Sequence, residues 1–100
     1  YALYESRYTV LHGSRTGEAE RFDVVGRCCE SGDIIQPGVE LPADICKGDI
    51  IAVCTTGAYN YSMASNYNRL PRPPIVMLAK DRSYEAVRRE TLEDLVALDL

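Results

Sequence analysis

The run Ile50-Ile51-Ala52-Val53-Cys54 is apolar on both faces, and turn chemistry brackets it, with Lys47-Gly48-Asp49 before and Thr55-Thr56-Gly57 after. A helix has no room between such stops, so the segment predicts a short, buried, central strand. The same pattern recurs along the chain. Tyr8-Thr9-Val10-Leu11 and the stretch from Arg21 to Val25 read as strands on either side of the polar loop His12-Gly13-Ser14-Arg15-Thr16-Gly17-Glu18. Asp33-Ile34-Ile35-Gln36 is an apolar run stopped by Pro37-Gly38, where proline fixes one φ and glycine accepts a positive one. Ile75-Val76-Met77-Leu78-Ala79 follows the blocking Pro71-Arg72-Pro73-Pro74, and Tyr84 to Arg89 reads as an exposed strand at an edge. From Ala58 to Leu70 there is no period of either kind, which predicts a long irregular connection of the sort usually kept for a functional task. Thr91 is a good N-cap with Asp94 in the first turn, and Leu92, Leu95, Val96 and Leu98 fall at near-helical spacing. The expected fold is mainly β, an antiparallel barrel or sandwich domain with a short C-terminal helix.

A chain of 100 residues predicts one domain with one core. Its 46% hydrophobic and 26% charged residues are those of an ordinary globular protein. The uncharged stretch from Ile50 to Tyr67 is full of Thr, Asn, Ser and Gly, too polar for a membrane partner. The first residues carry no basic region followed by an apolar run, so no secretory signal is expected and a cytoplasmic protein is. A net charge of -4 argues against a nucleic-acid partner, which wants a basic face. Cys28, Cys29, Cys46 and Cys54 form no CxxC pair and have no His-x-x-x-His companion, so no metal is expected and free thiols are. On a strand, Cys28 and Cys29 would face opposite ways.

Two segments concentrate reactive side chains. Gly26-Arg27-Cys28-Cys29-Glu30-Ser31-Gly32-Asp33 crowds thiol, carboxylate and hydroxyl between glycines, and on composition alone it is a turn with a buried cysteine. Thr55 to Arg69 is, on the same terms, a packed surface loop, although its polar side chains beside glycine also suit a phosphate or an amino acid.

Together these segments resemble one family. Cys29-Glu30-Ser31-Gly32-Asp33 is similar to the Cys-Glu-Ser motif of diaminopimelate decarboxylases, Gly57-Ala58-Tyr59 to their Gly-Ala-Tyr, and Ser62 to Pro73 to the run that follows it. Tyr1-Ala2-Leu3-Tyr4 resembles the end of their Arg-Pro-x-Leu-Tyr motif, with Tyr1 in place of the proline. The resemblance runs in order from Tyr1 to about Leu78. It implies the C-terminal β domain of an enzyme using pyridoxal 5'-phosphate to convert meso-2,6-diaminopimelate to L-lysine. By that resemblance Cys29 delivers a proton to the substrate Cα, Glu30 meets the distal ammonium, Tyr4 touches the substrate, and Tyr59 touches both cofactor and substrate. Cys28 is then a core residue. The resemblance also implies a homodimer with shared active sites, the Cys-Glu-Ser loop of one subunit completing the site of the other.

In this family the Schiff-base lysine belongs to a separate N-terminal α/β barrel, so the missing barrel is a partner of this chain and the chain alone is expected to be inert. Lys47 lies in a Lys-Gly-Asp turn and Lys80 stands beside Asp81, both settings of solvated lysines. His12, in a glycine loop without a carboxylate nearby in sequence, reads as non-catalytic. Rival readings are a related ornithine- or arginine-type decarboxylase domain, whose pattern is Cys-Asp rather than Cys29-Glu30; a non-catalytic regulatory paralogue; and a free-standing β-barrel binding module.

Overall fold

Among the described residues of the computed structural model, each strand pairs antiparallel with one partner, giving sheets of two strands apiece. The structure describes residues 4–13 and 17–100. Tyr1-Ala2-Leu3, part of the first motif match, and Ser14-Arg15-Thr16, the middle of the first loop, lie outside them. Two compact units make up the chain, Tyr1–Tyr61 and Ser62–Leu100.

In the first unit, β1 (Val10–His12) pairs with β4 (Ile51–Val53), Val10 lying opposite Val53 and His12 opposite Ile51. β2 (Ala19–Val25) pairs with β3 (Ile34–Pro42). Along β2, Phe22 and Val24 turn inward while Arg21, Asp23 and Val25 stay exposed, the period-two alternation of a strand with one wet face. Val10, Val24 and Leu41 form the core, with Phe22, Ile35, Val39, Ile45, Ile51 and Val53 packed against it. Each such side chain fully withdrawn from water is worth about 1.5–3 kcal/mol.

Two expectations are corrected. Pro37-Gly38 does not stop its strand. β3 passes through them because Gly38 adopts φ +65° and its N–H finds the Asp23 carboxylate at 2.9 Å. The register moves from Phe22 opposite Val39 to Val24 opposite Gln36, so β3 carries an extra residue, and a bulge is a place where a sheet accommodates proline. Likewise, the strand at Ile51–Val53 is not central: it has one partner, is only half-buried at its ends, and Ile50 just before it is 83% exposed.

In the second unit β5 (Ile75–Leu78) and β6 (Ser83–Val87) form a hairpin, largely exposed on both strands, as expected of an edge. The Arg82 guanidinium sits 5.0 Å from the centre of the Tyr84 ring at its turn. The segment before the hairpin is irregular apart from a 3-10 turn at Tyr67–Arg69. Helix α1 (Leu92–Val96) begins where expected, because Thr91 and Asp94 make a reciprocal capping box. Arg88 grips Asp94 through two hydrogen bonds, at 2.6 and 3.0 Å. With the Thr91 backbone N–H they hold the Asp94 carboxyl well below the usual carboxylate range. The chain is thus mainly β and antiparallel with one short C-terminal helix, and its described strands form open pairs rather than a closed barrel. Among the described residues no helix is long and apolar enough to cross a membrane.

Candidate functional site

The loop from β2 to β3 is built by short-range hydrogen bonds. The Gly26 N–H donates to the Asp33 carbonyl at 2.8 Å, and the Cys28 N–H to Asp33 Oδ2 at 2.9 Å. The Glu30 N–H reaches back to the Cys28 carbonyl at 2.8 Å, and the Asp33 N–H to the Glu30 carbonyl at 3.2 Å. Cys28 and Cys29 therefore lie on a turn, not on a strand with alternating faces. Cys28 is half-buried rather than a core residue, while Cys29 and Glu30 are exposed. Burial first, then hydrogen bonding to Asp33 and its charge, push the Cys28 thiol up, so Cys28 is disfavoured as a thiolate. No disulfide joins any of Cys28, Cys29, Cys46 and Cys54.

Tyr59 stands on the loop that leaves β4, at φ +71° and 77% exposed. A tyrosine with positive φ is uncommon, and such positions cluster where a site needs the backbone held in a costly shape. Thr55, at the start of the same loop, has φ +59°. Tyr4 is 72% exposed on the segment that leads into β1.

Tyr8 ties these segments together, a role no sequence motif announced. Its backbone N–H donates to the buried Gln36 Oε1 at 2.8 Å, and its hydroxyl exchanges long hydrogen bonds of 3.4–3.5 Å with the Asn60 side chain. Asn60, and then Ser6, lower the Tyr8 phenol by hydrogen bonding. A chain of contacts so runs from β3, which carries the Cys29 loop, through the segment of Tyr4 to the neighbour of Tyr59. The structure places Cys29 and Glu30 side by side on one turn, and links the segments bearing Tyr4 and Tyr59 through Tyr8. The four side chains share an exposed setting.

His12 is more engaged than its sequence setting suggested. Its ring is 1% exposed and Nε2 lies 3.1 Å from Asp49 Oδ2, which also takes the Cys46 N–H at 3.1 Å. The pair is separated by 37 positions, which is why no carboxylate was visible near His12. Among the described residues no group of His, Cys, Asp and Glu side chains could hold a metal ion.

A family model, the C-terminal sheet domain of pyridoxal-dependent decarboxylases, matches residues 1–57. The diaminopimelate decarboxylase of Bacillus subtilis is 46% identical over 99% of this chain and 23% of its own length. That of Actinosynnema pretiosum is 48% identical over 95% of the chain and 22% of its own length. Among solved structures, diaminopimelate decarboxylase from M. jannaschii superposes with TM-score 0.90 at 35% identity, over 99% of this chain and 23% of that one. The Helicobacter pylori enzyme complexed with L-lysine gives TM-score 0.86 at 37% identity, over 97% and 24%. The fold and sequence define a pyridoxal-dependent decarboxylase sheet domain, and the chain belongs to that family. It spans about a quarter of the length of the curated relatives it matches.

The residues present fit one side of the family's cofactor. Lys47 and Lys80 are both exposed, so neither has the desolvated surroundings that a Schiff-base lysine needs. The exposed Tyr59 ring leaves an aromatic face open to a cofactor anchored by other residues.

Proposed function

We propose that the complete protein is a pyridoxal-phosphate-dependent carboxy-lyase that converts meso-2,6-diaminopimelate to L-lysine, and that this chain supplies the wall closing over the substrate. The observation that carries this reading is the Cys29-Glu30 turn, two exposed side chains of complementary chemistry on a loop pinned at both ends. Pyridoxal phosphate, when bound, spreads into its ring the charge left on Cα by departing carbon dioxide. Cys29 Sγ–H returns a proton to Cα from one face. Glu30 receives the distal ammonium in a charge-assisted contact, which fixes the substrate end to end. Tyr4 and Tyr59 line the substrate, and Tyr59 also lies against the cofactor.

The Schiff-base lysine comes from an N-terminal α/β barrel outside these 100 residues. The working form is a cytoplasmic homodimer in which Cys29 and Glu30 of one subunit serve the site of the other. An ornithine- or arginine-type decarboxylase is the second reading, and Glu30, where that pattern has aspartate, speaks against it. A regulatory paralogue has no use for an intact Cys29, Glu30 and Tyr59.

The test is an assay of the purified complete protein with pyridoxal phosphate. Carbon dioxide and L-lysine should form from meso-diaminopimelate, with little turnover of ornithine or arginine. Preference for either of the latter would replace the first reading with the second.

A further inference from the structure

Three of the hydrogen bonds that shape the loop after β2 pass through a single residue, Asp33. Its carboxylate accepts the Cys28 N–H at 2.9 Å, its carbonyl accepts the Gly26 N–H at 2.8 Å, and its own N–H donates to the Glu30 carbonyl at 3.2 Å. Asp33 touches the backbone on both sides of Cys29 without adjoining it. We propose that Asp33 is the positioning residue of the thiol loop, holding Cys28 inward and presenting Cys29 and Glu30 outward. The inference rests on the reading above, in which Cys29 is the proton donor, and names the group that selects it over its neighbour.

Two further observations support it. A methyl group at Gly26 would overlap the Asp33 carboxylate, so glycine is what lets the carboxylate sit under the loop. The Cys28 thiol also feels Asp33, by hydrogen bond and by charge, and is pushed toward its protonated form, with burial the larger cause. One carboxylate thus fixes the turn and quiets the wrong thiol. Adjacent cysteines need such a device, because a small rotation of the turn would exchange their places. An aspartate that merely ended a turn would change stability but not which sulfur reacts.

The experiment reads sulfur selectivity directly. The complete protein and its Asp33→Ala, Asp33→Asn and Gly26→Ala variants receive a brief pulse of iodoacetamide, and fragment-ion mass spectrometry gives the ratio of Cys29 to Cys28 alkylation. Wild type should favour Cys29. In Asp33→Ala the ratio should fall by about tenfold, the scale of one lost hydrogen bond to a charged acceptor. Gly26→Ala, which displaces the carboxylate and leaves it in the chain, should shift the ratio the same way, and it serves if Asp33→Ala does not fold. Asp33→Asn keeps an acceptor but not the charge, so its ratio should fall between wild type and Asp33→Ala.

A second readout follows where the proton goes. In Cys29→Ala a larger share of turnovers should end as an aldehyde with the amine form of the cofactor, and Asp33→Ala should move toward that pattern while Cys28→Ala does not. An alkylation ratio unchanged in both Asp33→Ala and Gly26→Ala would overturn the inference. If Cys29→Ala left the products unchanged, the reading of Cys29 as proton donor would fail, and the alkylation ratio would still decide the role of Asp33.

Discussion

Glu90 and Arg72 form a reciprocal pair: Glu90 Oε1 accepts the Arg72 backbone N–H at 2.7 Å, and the Glu90 N–H returns to the Arg72 carbonyl at 3.3 Å. The same oxygen accepts from Asn66 Nδ2 at 2.7 Å, and Asn66 also reaches the Leu70 carbonyl at 3.1 Å. One carboxylate thereby holds the irregular stretch 66–72 against the end of the hairpin. Those bonds, Arg72 first and Asn66 second, place the Glu90 carboxyl below its ordinary value.

The pH dependence follows from that direction. A carboxyl lowered in the folded state stabilises the fold above its unfolded pKa, about 4.3 for glutamate, and the contribution fades as pH falls through the lower, folded value. Glu90→Gln should therefore lower the Tm of the complete protein at pH 7, and the gap from wild type should narrow as pH is taken below about 4. A gap independent of pH would show that the Glu90 charge plays no part.

Thr91 caps α1 through the Asp94 N–H at 3.2 Å, while Asp94 returns the favour to the Thr91 N–H at 2.8 Å. Loss of such a cap costs about 1 kcal/mol. Thr91→Ala should destabilise the complete protein by about that amount in urea unfolding, and Thr91→Ser, which keeps the hydroxyl, by much less.

Local chemistry made much of this legible. The Thr91 cap, the irregular stretch after Ala58 and the exposed Tyr84 strand needed only neighbours in sequence. What escaped was decided at long range. Pro37-Gly38 continues a strand because Asp23, fifteen positions away, receives the Gly38 N–H. His12 is engaged by Asp49, and Tyr8 by Gln36 and Asn60, through contacts that no local pattern encodes. The turn at Gly26–Asp33 was legible from its composition, but the Asp33 carboxylate that closes it on the Cys28 N–H was not. The site residues themselves came from motif resemblance, since their exposure alone would not have distinguished them from ordinary surface.

The shared site proposed above makes a prediction about mixed subunits. A full-length subunit lacking its Schiff-base lysine and a full-length Glu30→Ala subunit should each have little activity as homodimers. After subunit exchange, the heterodimer contains one intact site, and activity should return to up to about half the wild-type level per heterodimer by two-fold symmetry. No recovery, with exchange verified, would place Glu30 in the site of its own subunit.

The most direct measurement concerns the reach of Glu30. Glu30→Asp shortens the carboxylate by one methylene and draws it away from the distal ammonium, so kcat/KM of the complete protein for meso-diaminopimelate should fall by about tenfold or more, as expected for a weakened charge-assisted hydrogen bond. The visible absorbance of bound pyridoxal phosphate should be retained, because in the proposed site Glu30 meets the substrate and not the cofactor. An unchanged kcat/KM would contradict the account, since it would mean that the exposed Cys29-Glu30 turn does not meet the substrate.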